Sequence, residues 1–112
     1  MKRVEAYIQP FMLTRVLHEL REARVHGLTV SDVKGFGREK DESYPHHASD
    51  YAVDFTPKVK LEILCRDPDV EGLVEALVRG AHTGRKGDGK VFVSDVEAVV
   101  SIRSSQSGEE AI

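Results

Sequence analysis

The chain has 112 residues, 31% charged and 40% hydrophobic, and a formal net charge of −3 with histidine neutral. That suits one small domain hiding roughly 65% of the surface its unfolded chain exposes, and the near balance of charge gives nucleic acid no support as a partner. A single cysteine, Cys65, excludes an internal disulfide and a multi-cysteine metal site, and with neither a leader nor a membrane-length apolar run the cytoplasm is the expected location.

Across residues 3–9, Val4, Ala6 and Ile8 alternate with Glu5 and Gln9, which predicts a strand with one buried side, stopped by Pro10. Leu13, Val16, Leu17 and Leu20 then fall at helical spacing, with Arg15, Glu19, Arg21 and Glu22 between them. They predict an amphipathic helix ending before Gly27. "LTVSDVKGFG" predicts a second strand carrying Leu28 and Val30 and closed by Gly35 and Gly37. From Arg38 to Tyr51, "REKDESYPHHASDY" has no period and is dense in charge. A long stretch of this kind in a small domain is expected to be a functional loop or a disordered one.

Val59, Leu61, Ile63 and Cys65 alternate with Lys60, Glu62 and Leu64 as a third strand. Asp67 and Pro68 predict a helix start, aspartate as N-cap and proline at the first helical position. Val70, Leu73, Val74, Leu77, Val78 and Ala81 trace its apolar face. "KVFVSDV" and "AVVSIR" supply the last strand material, and "SSQSGEEAI" is a polar tail. Strand, helix, strand, long loop, strand, helix, strand is the βαββαβ order of the ferredoxin-like α+β sandwich, both helices on one face of an antiparallel sheet. The other sheet face then needs cover, which a symmetric oligomer would provide.

"TGRKGDGKVFV", residues Thr83–Val93, places Gly84 and Gly89-Lys90 at P-loop spacing. Val91 stands where a P-loop needs Ser or Thr for magnesium, and the segment follows a helix where a P-loop follows a strand. Walker-type hydrolysis is not expected, and no nucleophile–base pair is evident, so the chain reads as a non-enzyme. Two readings of the segment remain. Gly84, Gly87 and Gly89 would let backbone amides approach an anion, with Lys86, Lys90 and Arg103 adding charge. Alternatively it is a glycine-rich turn with solvated lysines. His82, just before it, reads either as a group near the ligand or as a helix-end residue.

The same string, with "VKGFGREK" (33–40), "YAVDFTPKVKLEI" (51–63), "GEEAI" (108–112), "EAYIQPFML" and "HGLTVSDV", resembles the PII signal-transduction proteins over essentially the whole length. The resemblance implies one PII-like domain over 1–112, a homotrimer, and a partner-docking T-loop over 36–55. It implies ATP, ADP or AMP bound in clefts between subunits, and a membrane transporter or enzyme as the regulated partner. Carried over by motif, Gly87, Asp88, Gly89 and Lys90 would cradle the phosphates facing Gly35, Phe36, Gly37 and Arg38. Thr29 would touch the adenine, and Arg103 would reach the phosphates from the neighbouring subunit.

Four departures from the family pattern bear on the signal. Glu39 stands where a glutamine usually helps ligate the magnesium ion that joins ATP to 2-oxoglutarate. Its carboxylate suits Mg2+, but a like charge at ~4 Å costs about 4 kcal/mol at an effective dielectric near 20. Asp41 adds to that repulsion, while Lys58, the family's 2-oxoglutarate lysine, is retained. Ser101 replaces an arginine of an "RIR" triplet, a loss of about 1.5–3 kcal/mol that the γ-phosphate would feel most. ADP or AMP is therefore expected to compete with ATP. Tyr51 remains at the family's modification position in the altered context "HHASDY", and reads as a uridylylation target or as an unmodified loop residue. His46 and His47 are weak metal candidates, because adjacent residues of an extended loop point apart. An ordinary nitrogen regulator using ATP with 2-oxoglutarate, and a paralogue tied to metal or inorganic-carbon transport, are the alternative readings.

Overall fold

Alternation of apolar side chains sets the strands. In a computed structural model, which describes residues 1–37 and 55–112, these are β1 (Lys2–Ile8), β2 (Thr29–Gly35), β3 (Thr56–Cys65) and β4 (Gly89–Asp95). Two helices, α1 (Leu13–Glu22) and α2 (Val70–Ala81), join them. The sheet order is β2-β3-β1-β4 with every neighbouring pair antiparallel, which is the ferredoxin-like arrangement expected from the element order.

Directly opposed residues share a face of an antiparallel sheet. Val4 lies between Ile63 and Val93, Ala6 between Leu61 and Val91, and Ile8 between Val59 and Gly89. On this face Val4, Ala6, Ile8, Val59, Leu61 and Ile63 are buried against Val16 and Leu20 of α1 and Leu73, Ala76 and Leu77 of α2. The helices meet at Gly80, where an added Cβ would lie 2.8 Å from the Val16 Cα. A side chain there would force the pair apart.

The opposite face carries Arg3 paired with Glu5 at 2.9 Å and Lys60 paired with Glu62 at 2.8 Å. Tyr7 meets Phe92 edge-on, their centroids 5.8 Å apart. Neither helix covers this face, and Leu64 and Phe92 are exposed on it.

Three local expectations fail. Val78 is exposed, because the closely packed stripe of α2 runs through Leu73, Ala76, Leu77, Gly80 and Ala81, whose small members let α1 approach. Asp67 does not cap a helix. It opens a 3₁₀ turn, Asp67–Asp69, whose N-cap is Arg66, and its carboxylate takes the Met1 ammonium at 2.9 Å. That hydrogen bond and charge hold the Asp67 carboxyl below its ordinary value. Finally, "AVVSIR" adds no strand. The chain turns back after β4 into a hairpin over 99–108, held by the Val100–Ser107 bridge, Ser101 N–H to Gln106 O at 2.8 Å, and Gly108 N–H to Val99 O at 3.0 Å. Val100 and Ile102 on this hairpin are exposed, Ile102 fully.

Candidate functional site

The glycine loop between α2 and β4 is organised from within by Asp88. Its carboxylate accepts the Thr83 amide at 2.8 Å, the Gly84 amide at 2.9 Å and the Thr83 hydroxyl. The Arg85 amide in turn donates to Thr83 Oγ1 at 3.2 Å. Partial burial works against the Asp88 charge, but the hydroxyl and two amides outweigh it and hold the carboxyl below its ordinary value. A carboxylate aimed at phosphate would repel it. This one instead orders the loop, leaving Lys86 and Lys90 exposed as its cations.

The sign of the Asp88 effect yields a pH prediction. A lowered native value means that the stabilisation is fully present above the unfolded carboxylate range, about 3.9, and is lost as pH falls through the native value. Hydrogen-exchange protection of the Thr83 and Gly84 amides, after correction for the intrinsic rate, should hold from about pH 7 to 5 and collapse below about 4. Protection that declines already between pH 7 and 5 would mean that another group organises the loop.

The glycines serve different ends. Gly84, Gly87 and Gly89 adopt φ of 87°, 94° and 108°, in the region that side chains avoid. At Gly89 a Cβ would sit 1.7 Å from the Tyr7 carbonyl oxygen, so close contact with β1 alone demands glycine. At Gly84 the nearest atom to such a Cβ is His82 Nε2, 3.8 Å away. His82 takes an extended conformation at the α2 C-cap (φ −69°, ψ 127°), its Nδ1 3.8 Å from Asp88 Oδ2. Lys58 on β3 donates to the Gly87 carbonyl at 2.5 Å, tying the loop to the sheet.

The register shows which expected site residues meet. Gly35 pairs with Thr56, Val33 with Lys58, Ile8 with both Val59 and Gly89, and Tyr7 with Lys90. Gly35, Phe36, Gly37, Lys58, Gly87, Asp88, Gly89 and Lys90 therefore cluster at one end of the sheet. There Phe36 meets Phe55 edge-on at 5.5 Å. Thr29 begins β2 opposite Glu62, at the other end, about 20 Å away at the usual rise per residue. It lines a cavity of about 1110 Å³ with Gly27, Leu28, Glu62 and Leu64. Arg103 is exposed on the 99–108 hairpin, which leaves β4 beyond Asp95 at that same far end. Within one chain the glycine loop thus lies at one end of the sheet, and Thr29 and the start of the hairpin that carries Arg103 at the other.

Arg38, Glu39, Asp41, His46, His47 and Tyr51 lie outside the described residues. Among the described residues no group of three His, Cys, Asp or Glu is placed to hold a metal ion, and burial pushes the Cys65 thiol up. No described helix is long and apolar enough to cross a membrane. Two polar residues at the loop end escaped the sequence reading. Gln9, expected on the solvent side, is 1% exposed, and Thr56 is 5% exposed. The one signal for Gln9 was its place between a strand and Pro10, where the period-two rule no longer applies.

A family model described as Nitrogen regulatory protein P-II matches residues 1–106. The chain is 48% identical over 112 residues to a protein of that name from Mesorhizobium japonicum and 48% identical to another from Azospirillum brasilense, each match covering both chains completely. Among solved structures, PII of Arabidopsis thaliana bound to citrate matches with a TM-score of 0.80 and 36% identity, covering 99% of this chain and 91% of that one.

Proposed function

The chain belongs to the nitrogen regulatory protein P-II family, and from that membership we propose that it is a homotrimeric sensor of ATP, ADP or AMP. Each nucleotide binds in a cleft between subunits, and the segment 36–55 carries the result to a membrane transporter or an enzyme. The family is one of signalling regulators, so the output is binding to a partner. The observation that carries the proposal is the separation of the two half-sites. A cradle of three left-handed glycines with Lys90 lies at one end of the sheet, and Thr29 and Arg103 lie at the other. A second copy bringing its far end to the first copy's cradle would complete a cleft. The same contact would cover the exposed Val100 and Ile102 of the hairpin, apolar surface of the kind that marks association.

Signalling then follows from linkage. A nucleotide shifts the 36–55 segment only by binding one of its states better than another, and Phe36 starts that segment directly after Gly35, at the glycine-loop end of the sheet. Lys90→Ala should weaken ATP, ADP and AMP alike, because it removes a charge common to their phosphates.

A second reading is favoured by the relatives' shared name and by Lys58, whose ammonium already reaches Gly87. On it the chain is an ordinary nitrogen regulator that binds 2-oxoglutarate with MgATP despite Glu39 and Ser101. The carboxylate held by the Arabidopsis relative supports a small-acid ligand of this kind. Calorimetric titration with ATP, ADP and AMP, each with magnesium and with or without 2-oxoglutarate, tests both. The first reading expects ADP or AMP to bind comparably to ATP with no effect of 2-oxoglutarate, and the second expects 2-oxoglutarate to bind only with ATP. Absence of any nucleotide binding would remove both.

A further inference from the structure

The nucleotide reading gives no task to His82, although the glycine loop is built against it. His82 is exposed at the C-terminal end of α2, its Nδ1 3.8 Å from Asp88 Oδ2. On its other side, a Cβ placed on Gly84 would lie 3.8 Å from its Nε2. The imidazole thus reaches both the carboxylate that ties the loop and the left-handed corner at Gly84, where φ is 87°. Among the described residues the other charged groups around it are cations or are already paired. Arg85 and Lys86 share the loop, and Lys90 lies at the start of β4, all three exposed. Lys58 of β3 is bonded to the Gly87 carbonyl. Arg79, three residues back on α2, holds Glu19 of α1 at 2.8 Å. The first turn of α1 brings no acidic residue.

We propose that His82 is a proton-linked positioning residue of the anion site: its imidazolium pairs with Asp88, offsets the negative charge inside the glycine loop, and makes nucleotide binding tighten as pH falls from about 8 to 6. It rests on the reading that this loop holds nucleotide phosphates. Burial works against the Asp88 charge, but the Thr83 hydroxyl and the Thr83 and Gly84 amides hold its carboxyl below the ordinary value. Asp88 is therefore ionised throughout that range, where its charge both orders the loop and repels an incoming phosphate. Histidine is the side chain that ordinarily changes charge between about pH 5 and 8. Charged, it cancels the repulsion without releasing the amides. The gain in affinity is present where the imidazole is protonated and is lost as pH rises. An exposed pair of opposite charges corresponds to about two- to fivefold in an equilibrium constant.

Calorimetric titration of MgATP and MgADP into the full chain, at about pH 6, 7 and 8, tests the proposal beside His82→Gln and His82→Arg. The terminal phosphate of the nucleotide titrates in the same range, so the quantity read is the affinity of the unaltered protein relative to His82→Gln at each pH. That ratio should rise about two- to fivefold between the highest and the lowest pH. Repeating the middle titration in buffers of different ionisation enthalpy counts the protons taken up, and His82→Gln should take up fewer. His82→Arg, charged at every pH, should match the unaltered protein at the acid end and bind more tightly at the alkaline end. A ratio that stays constant, or equal proton uptake by the unaltered protein and His82→Gln, overturns the role of His82 and leaves the nucleotide sensor standing. No nucleotide binding at any pH removes both.

Discussion

Gly89→Ala should cost about 3–5 kcal/mol, a large part of the 5–15 kcal/mol that holds a domain together. The new Cβ would lie 1.7 Å from the Tyr7 carbonyl oxygen, with the Tyr7 carbonyl carbon at 2.8 Å, and both are backbone atoms of the central strand that cannot swing aside. Relief requires β4 to lift from β1 at the Ile8–Gly89 rung. The positive φ of 108° adds about 1–2 kcal/mol of its own. Gly84→Ala is the control. It shares a left-handed φ but meets only His82, so about 1–2 kcal/mol from the backbone is expected there. Urea unfolding of both variants reads the difference. Equal stabilities would mean that β1 and β4 are not in the register described.

Mixing two inactive variants should restore nucleotide binding. Lys90→Ala damages the cradle and leaves Thr29 and Arg103 intact, while Thr29→Ala with Arg103→Ala does the opposite. On the proposed trimeric assembly, either variant alone should bind about 10- to 100-fold more weakly, as expected for loss of a charge-assisted contact. After co-refolding, every trimer holding both kinds of subunit has one cleft in which an unaltered cradle faces an unaltered Thr29–Arg103 pair. Calorimetry should then recover near-native affinity at a reduced number of sites. No recovery would place the whole site within one chain, and the half-site separation along β2 would then have no functional meaning. The hairpin offers a parallel check by sedimentation, since Ile102→Asp should weaken trimer formation by placing a charge where apolar surface is to be covered.

Much of the fold was legible from local pattern. Val4-Ala6-Ile8 and Val59-Leu61-Ile63-Cys65 repeat every two residues and Leu13-Val16-Leu17-Leu20 every three to four, and a buried face imposes such periods wherever the element ends up. Their order left one common antiparallel arrangement, and the collinear motifs were enough to indicate the family. The failures share a cause. Val78 obeys the helical period, but the approach of α1 at Gly80 sets which stripe of α2 is sealed. Asp67 has the composition of a cap, yet the Met1 ammonium is within its reach. "AVVSIR" alternates like a strand, but it pairs within its own hairpin, Val100 with Ser107, and not with the sheet.

By itself, then, the sequence determined the main strands and helices, their order and the family, because each of these follows from spacing along the chain. Tertiary structure alone decided what individual residues do. Asp88 ties its own loop, Gly89 is demanded by the Tyr7 carbonyl, Gln9 is buried without a partner, and Thr29 and Arg103 lie at the far end of the sheet from Lys90. Each of these depends on which strand lies beside which and in what register. Register is set by packing a whole face at once, and no local window of sequence contains it.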